Sequence, residues 1–309
     1  MFHRIFGNYR KKTNVALVIN WEFHQKDHWV SIFAPYFVNA FVKEFNPIII
    51  NSQFEYALYK KKIKHIVSME PGWAAPKIKY DKKMDHTVAV FASDPHNKTD
   101  WFQEYVLDND ITYVLSQYKS PFFYHFPSFP KERFIHFPWA VPDQLVPQKE
   151  VKYLGSDIMI FGGQSSDAYD VRNWCREQKY ITGFDNSGVE NKKLSNTEYS
   201  QWLSTFDAIV AAGSSNPMYD LVTPKYFEIG SVGALIIGQE CQDLKSLGFD
   251  DSNMVIFKKE NFNNKIEQYL KSPKVFEEIR KKGRSVVLGK HLISHRLDTL
   301  KKLLLGRNE

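Results

Sequence analysis

The sequence predicts an α/β protein built from two Rossmann-like domains with a C-terminal helical tail. Three observations carry that expectation. Short apolar runs alternate with helical patterns along the whole chain, as in parallel sheets covered on both faces. The length of 309 residues suits two domains of about 150 each. A stretch rich in Pro and polar residues, 138–152, separates two such series and reads as a linker. The expected boundaries are 1–145 for a first domain, 146–290 for a second, and 291–309 for a terminal helix that packs back on the first.

In the first series, residues 15–19 (VALVI) form a buried strand, 29–45 an amphipathic helix, and 47–50 a second strand. Residues 63–68 make a third strand that ends at Glu70, Pro71 and Gly72. Residues 87–91 make a fourth, ending at Ser93, Asp94, Pro95 and His96, with a helix over 99–107 after it. The fifth and sixth strands cover 111–115 and 133–137. In the second series a strand at 157–161 meets Gly162 and Gly163, and a helix starts near Tyr169. Further strands are expected at 180–182, 208–211, 234–237 and 254–257. From Phe262 onward the pattern is helical, closing on a Leu-rich helix at 297–305.

A hydrophobic content of 43%, with abundant Phe and Tyr, is enough for real cores. No apolar run approaches the roughly 18–20 residues of a membrane span. The opening residues, MFHRIFGNYRKKTN, are basic and lack the apolar stretch of a secretory signal. Cys175 and Cys241 fit no metal or redox spacing and suit a reducing cytoplasm as unpaired thiols. The net charge is +6, and residues 1–85 hold 14 Lys/Arg against 7 Asp/Glu. That imbalance suggests an anionic acceptor or the inner face of an anionic membrane, with solubilising lysine-rich loops as the plainer explanation. Nucleic acid is not expected as a partner. Lys60, Lys61 and Lys62 read as a solvated helix end, and no nucleic-acid motif accompanies them.

The most informative stretch is 223–238, TPKYFEIGSVGALIIG. Pro224 suits a first helical turn, Gly233 a helix end, and ALII a strand buried on both faces. Lys225 and Glu228 lie three apart and share one helix face near its start. A cation, free helix N–H groups and a carboxylate together can hold a diphosphate and a ribose. Glu228 is expected to accept ribose hydroxyls, Lys225 to neutralise a departing diphosphate, and Thr223 to cap the helix. Gly162 and Gly163 let backbone approach phosphate closely. Arg172 either reaches the diphosphate or pairs with Asp170 on its own helix turn. The loop 213–217 either lines a base or sugar pocket or is simply a turn.

In the first domain, Asp94 and His96 follow the fourth strand, at the sheet end that carries ligands in parallel folds. Asp94 would be the general base of an inverting enzyme, and His96 would position the acceptor or stabilise charge at the reacting sugar. A plain turn and cap is the competing explanation. Trp21, Glu22, His24 and His28 form a second cluster in the loop after the first strand, and Glu70 is comparable. Asp108, Asn109 and Asp110 match a metal-binding Asp-x-Asp formally but precede a strand, so a polar turn is expected. No zinc ligand set and no P-loop are present.

These residues resemble the donor domain of CgeB-like (spore-maturation-type) glycosyltransferases, which are similar to bacterial family-one transferases of GT-B architecture. The likeness runs through four places in order. Phe161-Gly162-Gly163 precedes Tyr169 to Arg172. Lys225-Tyr-Phe-Glu228 is followed by Gly233-Ala234. Residues 244–257 resemble the loop and strand after that helix, and His291 with His295-Arg296 resembles the terminal pattern. The family more often has Arg at position 225 and Cys at 232; neither change removes charge or blocks the backbone. Metal independence is expected because Lys225 and helix dipoles can replace a metal while Asp108 and Asp110 stand in a poor context for one. The resemblance implies a hexosyltransferase-type glycosyltransferase with no cofactor besides its donor substrate. It would move a sugar from a nucleotide-diphosphate sugar to a glycan, lipid-linked or other glycoconjugate acceptor in bacterial surface-polysaccharide synthesis. It tilts the stereochemistry toward retention. The alternative is a non-catalytic nucleotide-sugar or glycan-binding protein on the same fold.

Overall fold

A computed structural model describes residues 7–8, 11–26, 31–97, 100–148, 158–164, 166–183 and 194–306. The chain divides into two compact units, Met1–Phe137 with Arg296–Glu309, and Pro138–His295.

The first unit runs β1 (Val15–Val18), α1 (Trp21–Gln25), α2 (Phe33–Phe45), β2 (Ile48–Ile50), α3 (Gln53–Tyr59) and β3 (His65–Ser68). It continues with β4 (Thr87–Phe91), α4 (Asp100–Asp108), β5 (Tyr113–Ser116), α5 (Lys119–His125) and β6 (Phe134–His136). All strand pairs are parallel, in the order β2-β1-β3-β4-β5-β6. The helix α2 buries Phe33, Phe37, Phe41 and Phe45, a four-residue repeat that keeps one aromatic stripe on the sheet. Phe37 meets Phe91 and Phe137 edge-on, with ring centres 5.6 and 5.7 Å away.

Two local differences from the expectation have plain causes, and one local expectation is met. The segment after β1 is helical rather than a loop. The Asn20 side chain caps it by accepting from Phe23 N–H, while Trp21 N–H donates to Asn51 Oδ1. The helix α3 carries its start signal in Ser52 and Glu55: Glu55 N–H donates to the Ser52 hydroxyl and Asn51 N–H to the Glu55 carboxylate. Its outward Phe54 and Leu58 obscure the apolar period. Asp108 to Asp110 forms the expected helix-to-strand turn. Asn109 is buried, accepts from Tyr80 N–H at 3.0 Å, and donates to the Tyr105 carbonyl at 2.9 Å. The first residues of the helices expected from 29 and from 99 lie outside the described residues.

The second unit runs β7 (Ile158–Ile160), α6 (Asp170–Arg176), β8 (Ile181–Gly183), α7 (Asn196–Leu203), β9 (Ala208–Ala211) and α8 (Pro224–Val232). Then come β10 (Leu235–Gln239), β11 (Val255–Phe257), α9 (Phe262–Lys271) and α10 (Glu277–Lys290). The last helix, α11 (Ile293–Leu305), starts in this unit, and its residues from Arg296 belong to the first. The sheet is parallel throughout, in the order β11-β10-β9-β7-β8. Ile160, Val210 and Ile237 on its strands pack with Val171, Phe257 and Phe262. Gly233 closes α8 with φ +83, a conformation that glycine adopts without strain.

The stretch expected as a linker is instead bonded into the second unit as far as it is described. Val141 N–H donates to the His291 carbonyl and Ile293 N–H to that of Val141. The Ser200 hydroxyl and the Arg284 guanidinium donate to the carbonyls of Leu145 and Pro147. Prolines fix φ but leave carbonyls free to accept, and Val141 and Leu145 are apolar and buried. Residues 149–152 lie outside the described residues.

Candidate functional site

In the second sheet the chain turns outward from β7 to β8, then resumes on the other side of β7 with β9. That reversal marks the crevice where parallel α/β sheets take ligands, beyond the strands' carboxyl ends. The loops there start at Phe161 and Ala212, and the sequence-expected donor residues collect between them. Gly162 has φ +115, and a Cβ on it would lie 2.6 Å from Lys225 Cε and 3.0 Å from Arg172 Nη1. Only glycine tolerates both that backbone and that approach.

Arg172 is 3% exposed. Its Nε donates to the Ala212 carbonyl at 2.9 Å and its Nη1 to the Gly163 carbonyl at 3.0 Å, so it ties the two loops together. The guanidinium lies 4.1 Å over the Tyr169 ring. It makes no ion pair among the described residues, and burial lowers its affinity for the proton. The pairing with Asp170 considered from sequence does not form. Asp170 instead accepts from the Ser214 hydroxyl, Ser215 N–H and the Ser215 hydroxyl at 2.6, 2.9 and 2.6 Å. The loop 213–217 is therefore organised by turn chemistry, helped by Gln239, which accepts from Gly213 N–H and donates to the Ser214 carbonyl.

Lys225 and Glu228 lie on the first turns of α8, as expected. Lys225 Nζ is 4.3 Å from the centre of the Phe161 ring. Thr223 stands at the N-cap but makes no capping bond, which corrects the expected role. Its Oγ1 is buried without a hydrogen-bond partner among the described residues, in a residue only 6% exposed. A buried hydroxyl left unbonded is costly, and here it sits beside a helix start and a lysine.

Glu228 is half-buried, and Tyr199 Oη donates to its Oε2 at 2.9 Å. Its Oε1 has no partner among the described residues. Burial raises the Glu228 carboxyl above its ordinary value, opposed by the Lys225 charge and the Tyr199 hydrogen bond. Burial and the Glu228 charge hold the Tyr199 phenol well up. Sequence reasoning missed Tyr199 along with its helix, although Ser195 and Glu198 spell a capping box that starts it. It also missed Asp220, an acid in the loop leading to α8. Asp220 accepts from Gln242 N–H at 3.0 Å, and burial raises its carboxyl.

In the first unit, Asp94 and His96 occupy a turn at the carboxyl end of β4. Both are partly buried. Burial raises Asp94, opposed by His96. Burial also lowers His96, opposed by Asp94 and aided by His125 of α5. Both groups are thus pushed toward their neutral forms. This sheet's own reversal lies between β1 and β3, nearer the other cluster. There Trp21 and His24 have ring centres 5.2 Å apart, and His24 Nε2 donates to Asn39 Oδ1 at 3.2 Å. Glu22 is exposed, and His28 lies outside the described residues. Glu70 is buried, and its carbonyl accepts from Trp73 and Ala75.

Of the terminal pattern, His291 is buried, packs against the Phe227 and Phe249 rings, and donates through Nε2 to the Leu247 carbonyl at 2.8 Å. It serves packing.

Comparison with solved structures finds the same architecture. A glycosyltransferase from Rickettsia africae ESF-5 superposes with TM-score 0.61 at 10% identity, over 96% of this chain and 100% of that one. Anabaena Alr3699/HepE, solved with UDP and glucose, gives 0.56 at 8% identity, over 87% of this chain and 89% of that one. TarM gives 0.55 at 13% identity, over 80% of this chain; the match spans only 57% of TarM. No curated protein matches the sequence. The family model described as "Glycosyl transferase-like" matches residues 144–302, more than half of the chain. The chain belongs to that glycosyltransferase-like family and has the GT-B fold.

Proposed function

We propose that the protein transfers a sugar from a nucleotide-diphosphate sugar to a glycan, lipid-linked or other glycoconjugate acceptor. The setting we favour is bacterial surface-polysaccharide synthesis at the cytoplasmic face of the membrane. One observation carries the donor half of this reading: the cations of Arg172 and Lys225 converge on Gly162 at the sheet's reversal, and the helix that carries Lys225 starts at Thr223, whose buried hydroxyl has no hydrogen-bond partner among the described residues. Two converging positive charges and a helix start suit a diphosphate. Glu228, one turn along α8, keeps Oε2 on Tyr199 and offers Oε1 to a ribose hydroxyl.

The reaction is displacement at the anomeric carbon. The bond to the diphosphate oxygen breaks and its electron pair leaves with the nucleotide. Lys225, Arg172 and the start of α8 stabilise the charge that develops there, the role a metal plays in other transferases. In the first unit, Asp94 takes the acceptor proton if the enzyme inverts, and His96 steadies the reacting sugar. In a retaining enzyme Asp94 has no such step, so the anomer of the product decides its role.

The test is calorimetry with uridine, guanosine, adenosine and cytidine diphosphates, followed by turnover with and without a chelator. Binding of at least one nucleotide, and turnover that survives chelation, are expected. No binding at millimolar concentration overturns the donor site. Turnover lost in chelator and restored by manganese or magnesium overturns the metal-free mechanism. Donor binding with no turnover on any acceptor favours the non-catalytic alternative.

A further inference from the structure

The helix α3 is amphipathic in a way the fold does not use. Glu55, Tyr56 and Tyr59 are buried, while Phe54 and Leu58, one turn apart, are 62% and 51% exposed. The two stand together on one helix face, so they form a small apolar patch and are not singly scattered residues.

The loop 79–83 is fastened along the same helix. Gln53 donates through Nε2 to the Lys79 carbonyl at 3.0 Å and accepts from Lys79 N–H at 2.8 Å. Asp81 N–H donates to the Tyr56 hydroxyl at 2.8 Å, and Lys60 pairs with the Asp81 carboxylate at 2.6 Å. That pair uses the nearest acid, and Lys61, Lys79, Lys82 and Lys83 remain exposed with no ion pair among the described residues. Asp85 is the one exposed acid between residues 53 and 85. The surface is thus an apolar ridge rimmed by unpaired lysines.

We propose that this face, the outer side of α3 with the Lys79–Lys83 loop, docks the first unit onto an anionic lipid surface. The proposal deepens the acceptor half of the functional reading, because a lipid-linked acceptor lies in such a surface. Phe54 and Leu58 enter the headgroup boundary, and the lysines draw the face to anionic headgroups. A nucleic acid would engage the lysines but leave Leu58 without a partner. A second copy of the same face would be repelled by its like charge.

The test is flotation of the full chain with phosphatidylcholine vesicles, with and without phosphatidylglycerol, in the absence of donor. Binding is expected only to the anionic vesicles, and it weakens as salt rises. F54S/L58S should lower the partition about tenfold or more, and K82Q/K83Q several-fold, with melting temperature unchanged because all four side chains are exposed. Equal binding to neutral vesicles overturns the proposal. So does wild-type partition by F54S/L58S, or release of the vesicles by a duplex oligonucleotide. Calorimetry with uridine diphosphate on the same variants reads the donor site separately, so failure there leaves the vesicle result standing, and the reverse.

Discussion

The two units place their candidate chemistry in opposite ways. In the second, Gly162 after β7, Arg172 of α6, Tyr199 of α7, and Lys225 and Glu228 of α8 come together from positions up to 66 residues apart. In the first, Asp94 and His96 are two residues apart in one turn. The assembled site gathers positive charge, which suits holding an anion. The local pair couples a carboxyl and an imidazole, both displaced toward neutrality, which suits moving a proton. On the roles proposed above, binding and proton transfer divide between an assembled and a local device, and substitutions should then separate affinity from turnover.

The largest expected effect tests the local device. Asp94→Asn should lower turnover about 100- to 10,000-fold in an inverting enzyme while leaving affinity for the nucleoside diphosphate unchanged. Rate assays beside calorimetry check this, and a variant that loses affinity with turnover intact would break the division of roles. Next comes Gly162→Ala. Its Cβ would strike Lys225 and Arg172 in a backbone conformation that alanine resists. Nucleoside diphosphate affinity should fall about 100-fold; near wild-type affinity would show that the cations do not meet the ligand there.

Glu228→Gln should weaken donor binding roughly ten- to a hundredfold, and Tyr199→Phe about two- to tenfold, both read by calorimetry. If Glu228→Gln melts much earlier yet binds normally, the residue is structural. If Tyr199→Phe weakens binding more than Glu228→Gln, the tyrosine itself meets the ligand.

The smallest effect is on stability against pH. Burial lowers His65, His86 and His96, all in the first unit. A histidine held neutral in the folded state stabilises it fully above the unfolded value of about 6.5, because only the unfolded chain then gains the proton as pH falls. Melting temperature should therefore drop between pH 7 and 5, and His65→Gln should flatten that slope. An unchanged slope would remove His65 from the account.

Much of the fold was legible because buried parallel strands are written as short apolar runs. The runs at 87–91 and 208–211 coincide with β4 and β9, and the others differ from their strands by a residue or two at the ends. The helix α7 was legible in principle through Ser195 and Glu198, but its faces alternate too irregularly for the period to announce it. The charged ends of the candidate donor site, Lys225 and Glu228, were readable because one short helix carries both.

The sequence by itself determined the parallel α/β class and the strand positions, since each depends on neighbours a few residues away. Only the tertiary structure decided that Arg172 spans two loops instead of pairing with Asp170. It alone decided that Thr223 leaves its helix uncapped, that Tyr199 holds Glu228, and that Phe54 and Leu58 face outward. Each of these is a contact, or a missing one, set by which elements the sheet order brings side by side. Local propensity carries no information about that order.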